Sequence, residues 1–78
     1  MPDEVTFFLD RPSEEERRGV DGLLDFFKKE GVDVSGAEHD DPMGLTVDYL
    51  CLGPREALQR LVQKLRERGI KVEDPSPV

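Results

Sequence analysis

Glu38, His39, Asp40 and Asp41 place an imidazole and three carboxylates in consecutive positions, the one run whose side chains together suit a divalent cation. Neighbouring side chains on an extended chain point apart, and no second ligand pair at metal spacing occurs elsewhere. The run therefore reads as a solvated acidic turn, with no metal assigned. His39 is the only histidine and Cys51 the only cysteine. A thiol–imidazole relay would need these two to meet across a sheet, whereas a lone cysteine inside an apolar run is ordinarily a small buried hydrophobe. Cys51 has no internal disulfide partner and fits a reducing compartment, so a cytoplasmic location is expected. Ser13 and Ser35 stand in no motif that activates a hydroxyl, and no glycine-rich phosphate loop is present. The residues thus assign no catalytic group and no cofactor.

The elements that position these groups follow from hydrophobic period. Val5 to Leu9, rich in β-branched and aromatic residues, reads as a buried strand, and Arg11-Pro12 ends it. Ser13 with Glu16 three residues on is a capping box opening a helix, whose apolar face is Val20, Leu23, Leu24 and Phe27 with Phe26 at its edge. Gly19 and Gly22 cost about 1 kcal/mol each relative to alanine, which predicts a loose first turn or two. Gly31 stops the helix. Val32 to Glu38 alternates as a half-exposed strand, and residues 38–42 with Gly44 form the expected turn of a hairpin. Leu45 to Leu52 is the second strong strand, apolar on both faces. Gly53-Pro54 opens a second helix, with proline at its first position, carrying the stripe Ala57, Leu58, Leu61, Val62 and Leu65. Gly69 closes it, and Ile70 and Val72 make a short last strand.

The halves resemble each other, each being strand, helix, strand, with Pro12 and Gly31-Val32-Asp33-Val34 matched by Pro54 and Gly69-Ile70-Lys71-Val72. Two right-handed units of this kind side by side give an α+β fold of βαββαβ order. This is the ferredoxin-like arrangement, a four-stranded antiparallel sheet with two helices on one face and the first and third strands central. One domain over residues 1–78 is expected, with regular structure over about 4–73 and an irregular tail over 74–78. The 78 residues lie near the lower limit for a core without disulfides, metals or partners. Phe8, Leu50 and Leu52 would stand on the sheet face without helices, which makes them candidates for self-association as a homodimer or higher homo-oligomer.

Asp10-Arg11-Pro12 after the first strand, and Gly31-Val32-Asp33-Val34 at the second, resemble the first turn and second-strand entry of ACT-type regulatory domains. That resemblance covers residues 10–34 and implies paired domains and a small-ligand site, such as one for amino acids, at Asp10, Arg11, Pro12 and Ser13. The family's glycine after the proline is Ser13 here, and the first helix is about one turn longer. Ser13 as a cap, and Glu14, Glu15 and Glu16 beside it, oppose an incoming carboxylate at this helix start.

Charge sets the remaining exclusions. The formal net charge is −7, with 37% charged and 36% hydrophobic residues. An RRM-like nucleic-acid module shares the element order and would use Phe7, Phe8 and Tyr49, but Asp48 interrupts the third strand and the net charge repels phosphate. No apolar run approaches a membrane span, and the acidic start of the chain does not resemble a signal peptide. Residues 1–53 hold fourteen Asp or Glu against five Lys or Arg, whereas residues 54–78 hold four against six. The basic excess lies on the second helix at Arg55, Arg60, Lys64, Arg66 and Arg68, a candidate docking face for an acidic protein partner. The absence of Asn and the presence of only Gln59 and Gln63 as amides fit a thermophile. What the residues favour is a small non-catalytic interaction or regulatory domain.

Overall fold

Strand β1 occupies Asp3–Asp10 of the computed structural model, which describes residues 2–78. Its odd-numbered side chains Val5, Phe7 and Leu9 are buried, while Thr6 and Phe8 are exposed. Strand β3 (Gly44–Gly53) runs antiparallel to it in a register that sets Val5 opposite Cys51, Phe7 opposite Tyr49 and Leu9 opposite Val47. Because side chains alternate across a strand, this register gathers six apolar groups on one face of the sheet.

Helices α1 (Glu14–Lys29) and α2 (Arg55–Glu67) bury Val20, Leu24 and Phe27, and Ala57, Leu58, Leu61, Val62 and Leu65, in the same core. Strand β2 (Asp33–Asp41) lies on the far side of β3, and β4 (Ser76–Pro77) pairs with the start of β1, giving the order β2-β3-β1-β4 with every pairing antiparallel. The face carrying the core is called inner below and the opposite face outer. No helix of the described residues is long and apolar enough to cross a membrane.

Local chemistry fixes both helices. Ser13 Oγ accepts the Glu16 N–H at 3.0 Å, and three glutamates complement the positive end of the α1 dipole. The expected looseness of the first turns is not found: α1 is continuous from Glu14. Gly19 has a specific neighbour, since a Cβ there would fall 2.6 Å from Nη1 of Arg68, whose guanidinium rests on that gap. Both helices end alike. Gly31 and Gly69 turn left-handed at φ 97° and 83°. Val32 N–H then donates to Phe27 C=O and Ile70 N–H to Leu65 C=O, closing each helix with its next apolar residue tucked under it. Pro54 is the N-cap of α2 rather than its first helical residue.

Two expectations are corrected. Residues 38–41 are not a turn but the end of β2, pairing with β3 as far as Asp41 opposite Gly44. Only Pro42 and Met43 form the turn, because Asp41 Oδ1 accepts the Met43 N–H and Gly44 at φ 129° lets the chain reverse within two residues. Residues 70–72 form no strand, and residues 76 and 77, expected to be irregular, supply β4 instead. Competing hydrogen bonds explain this: the Ile70 N–H closes α2, and Arg66 donates from Nε and Nη2 to the Val72 C=O at 3.2 and 2.9 Å. Ile70 and Val72 still pack against the core.

Candidate functional site

The register maps the outer face residue by residue. Along β1 and β3 it sets Glu4 opposite Leu52, Thr6 opposite Leu50 and Phe8 opposite Asp48, and along β3 and β2 it sets Leu50 opposite Ser35 and Asp48 opposite Ala37. Phe8, 58% exposed, and half-buried Leu50 form the apolar floor of an open groove of about 960 Å³. Lys71, Val72 and Glu73 line the same groove, so the segment between α2 and β4 forms one wall. Of the three residues expected for self-association, Phe8 and Leu50 line the groove, and Leu52 lies on the same face, half-buried, beside Glu4.

Carboxylates surround this floor. Glu4, Asp48 and Glu73 line the groove itself, against the single ammonium of Lys71. His39 Nε2 lies 2.9 Å from Asp48 Oδ2 on this face. Among the described residues no cation is within ion-pair distance of Glu4, Asp33, Asp41 or Glu73. In the same sense, no group of three or more His, Cys, Asp or Glu is placed to hold a metal.

The turn after β1 is locked to the β2–β3 hairpin. Arg11 adopts φ 48°, its N–H donates to the Leu45 C=O at 2.7 Å, and a Cβ at Gly44 would fall 2.5 Å from Arg11 Cγ. A left-handed arginine is thus held by a backbone bond and by its stem lying over a glycine. Asp10 and Arg11 border a small cleft of about 210 Å³ with Asp41, Met43, Gly44 and Thr46, whereas Pro12 and Ser13 lie outside it. Ser13 Oγ is already engaged by the Glu16 amide.

The basic residues of α2 do not converge. Arg55 and Arg66, about three turns apart, border one side of the buried stripe, while Arg60, Lys64 and Arg68 follow the other. Most are engaged within the chain: Arg55 with Asp3, Lys64 with Glu67 at 3.8 Å, Arg66 with Val72 C=O and Asp74, and Arg68 against Gly19. Bonding to Asp3 raises the Arg55 pKa above its ordinary value. Among the described residues Arg60 alone of the five has neither an ion pair nor such a neighbour.

A polar network escaped sequence reading. Tyr49, stacked on Phe7 at 4.8 Å, donates its hydroxyl to Asp21 Oδ1 at 3.2 Å, and Arg17 Nη2 donates to Glu38 Oε1 at 2.7 Å. Burial first, then the Asp21 carboxylate, push the Tyr49 phenol up, and the Glu38 bond raises Arg17. Arg17 Nε is buried without a partner. One signal was available: a buried phenol needs an acceptor for its hydroxyl, and Tyr49 is the only tyrosine. The network ties α1 to β2 and β3. It contains no nucleophile beside a base, and the Cys51 thiol, wholly buried, is pushed up to about 11 by that burial and so is held neutral. No family model matches the chain, and neither a curated protein nor a solved structure matches it.

Proposed function

We propose that this chain is a non-catalytic interaction domain of ferredoxin-like arrangement whose working surface is the outer face of its sheet. The observation that carries the reading is Phe8, a large aromatic on a central strand, 58% exposed on the floor of a groove next to Leu50. Solvent contact with so large an apolar side chain is unfavourable by roughly 25 cal/mol per Å², and the surrounding fold leaves more than half of it exposed. The floor of the groove is formed by paired strands β1, β3 and β2, which suits a surface that recognises shape. Ligand sensing at residues 10–13 has less support, because Arg11 is pinned over Gly44 and Ser13 caps α1.

A photocrosslinking residue tests this directly. A benzophenone-bearing phenylalanine at position 8, in the cells that make the protein, is expected to yield a discrete adduct on irradiation. The same group at position 26, a helix site of similar exposure at 54%, is expected to yield none. Lack of an adduct at position 8, or equal adducts at both, overturns the reading.

A further inference from the structure

Resting on that reading, we infer that the groove receives a cationic amphipathic segment of another protein. Such a segment lays apolar side chains on Phe8 and Leu50 and sets Lys or Arg over the carboxylates around them. The charge arrangement selects this occupant. Glu4, Asp48 and Glu73 line the groove with Lys71 as their ammonium, Asp33 and Asp41 extend the same sign along the outer side of β2, and Asp48 meets the imidazole of His39. Among the described residues several of the arginines pair with other groups: Arg11 with Asp10 at 3.5 Å, although it borders the cleft of Asp41, Arg17 with Glu38, Arg55 with Asp3, and Arg66 with Val72 and Asp74.

Other occupants fit worse on the same grounds. Two copies meeting face to face would set these carboxylates against one another, a like-charge juxtaposition that opposes association. The exposed side of a second copy's α2 offers Glu56, Gln59, Arg60, Gln63, Lys64 and Glu67, which include no apolar group for the floor. Nucleic acid and anionic lipid share the sign of the groove.

The probe is an 18-residue peptide of Leu and Lys with its leucines on one helical face. One control carries Glu in place of Lys, and another carries Ser in place of Leu. Fluorescence anisotropy at low salt is expected to show saturable binding of the Lys–Leu peptide alone, with amide shifts centred on Phe8 and Leu50. Phe8→Ser, on an exposed position, should weaken binding about tenfold, the scale for losing an aromatic anchor. Glu73→Gln, outside regular structure, should weaken it severalfold at low salt and little at 0.5 M, where the Debye length is only about 4 Å. Equal binding of the Lys–Ser peptide would reduce the effect to bulk charge and overturn the inference. So would equal binding of the Glu–Leu peptide, absence of binding, or indifference to Phe8→Ser. Should the crosslink from position 8 instead join two copies of the chain, the docking reading would stand and the cationic-partner inference would fall.

Discussion

Cys51 gives a quantitative test of the core, because its burial must appear as a dependence of stability on pH. The thiol sits on central strand β3 between Val5 of β1 and Val34 of β2, with no solvent exposure, and desolvation raises its pKa from 9.0 to about 11. Below pH 9 the thiol is protonated in both folded and unfolded chains and contributes no slope. Between pH 9 and 11 the unfolded chain has lost the proton that the folded chain keeps, so the native state binds more protons and stability falls as pH rises. At about 1.4 kcal/mol per pKa unit, the two-unit window corresponds to a loss of roughly 3 kcal/mol. The Tyr49 phenol is also pushed up, by burial first, so a single protein would not separate the two groups. The measurement is therefore a difference: urea unfolding of the parent and of Cys51→Ala at pH 8 and pH 11. The variant is expected to start less stable, having lost a buried sulfur, but to lose roughly 3 kcal/mol less on going to pH 11. Identical losses in the two proteins would refute the argument, since they would mean that the native thiolate is solvated and the sheet centre open to water.

Three further substitutions test separate parts of the fold by urea denaturation. Ser13→Ala should cost about 1 kcal/mol through the lost bond to the Glu16 amide, with the α1 start fraying in amide exchange. Gly44→Ala should cost about 1–3 kcal/mol, since φ 129° is unfavourable for any Cβ and that atom would strike Arg11 Cγ. Paired with Arg11→Ala it should cost less than the two singles summed, and strict additivity would deny the contact. Leu58→Ala, at a fully buried position of α2, should cost 2–5 kcal/mol, and a change below 1 kcal/mol would place α2 off the sheet.

The parts legible in the sequence are those fixed by local pattern. Val20, Leu24 and Phe27 repeat at helical spacing and are buried together, as are Leu58, Leu61 and Leu65. Alternation in β1 and β3 correctly separated buried Phe7 and Tyr49 from the outward Phe8 and Leu50. What the pattern hides is whatever depends on distant partners. Charges at residues 38–41 resemble a turn, yet they extend β2 because Glu38 reaches Arg17 on α1 and His39 reaches Asp48 on β3. Ile70 and Val72 alternate like a strand, but the needs of the α2 end and of Arg66 claim their backbone groups first. The basic residues of α2 look like one patch in a linear count and separate onto two borders of a helix. The groove wall at Lys71 and Glu73 follows from that unformed strand and could not have been placed without it.

A sheet with one open face can meet another chain at its edges or on that face, and here the β2 edge is the guarded one. Strand β2 carries Asp33, Glu38, Asp40 and Asp41 within nine residues, and charge on an edge strand opposes pairing by a further strand. At the other edge β4 pairs only with Asp3 and Glu4, and the Val78 N–H bond to Pro2 C=O fixes which residues of β1 point their backbone outward. By alternation these include Thr6 and Phe8, whose side chains line the groove. Beyond them Arg66 holds the Val72 carbonyl, so residues 70–75 stand as a wall beside the groove rather than as a strand offering a fresh ladder, and Pro75 and Pro77 have no N–H to donate. Strand addition is thereby discouraged at the β2 edge, whereas Thr6 and Phe8 keep outward backbone groups beside the open aromatic face. On the reading proposed above, apolar area sets where a partner settles, and Glu4 and Glu73, without an ion pair among the described residues, set which charge that partner must carry.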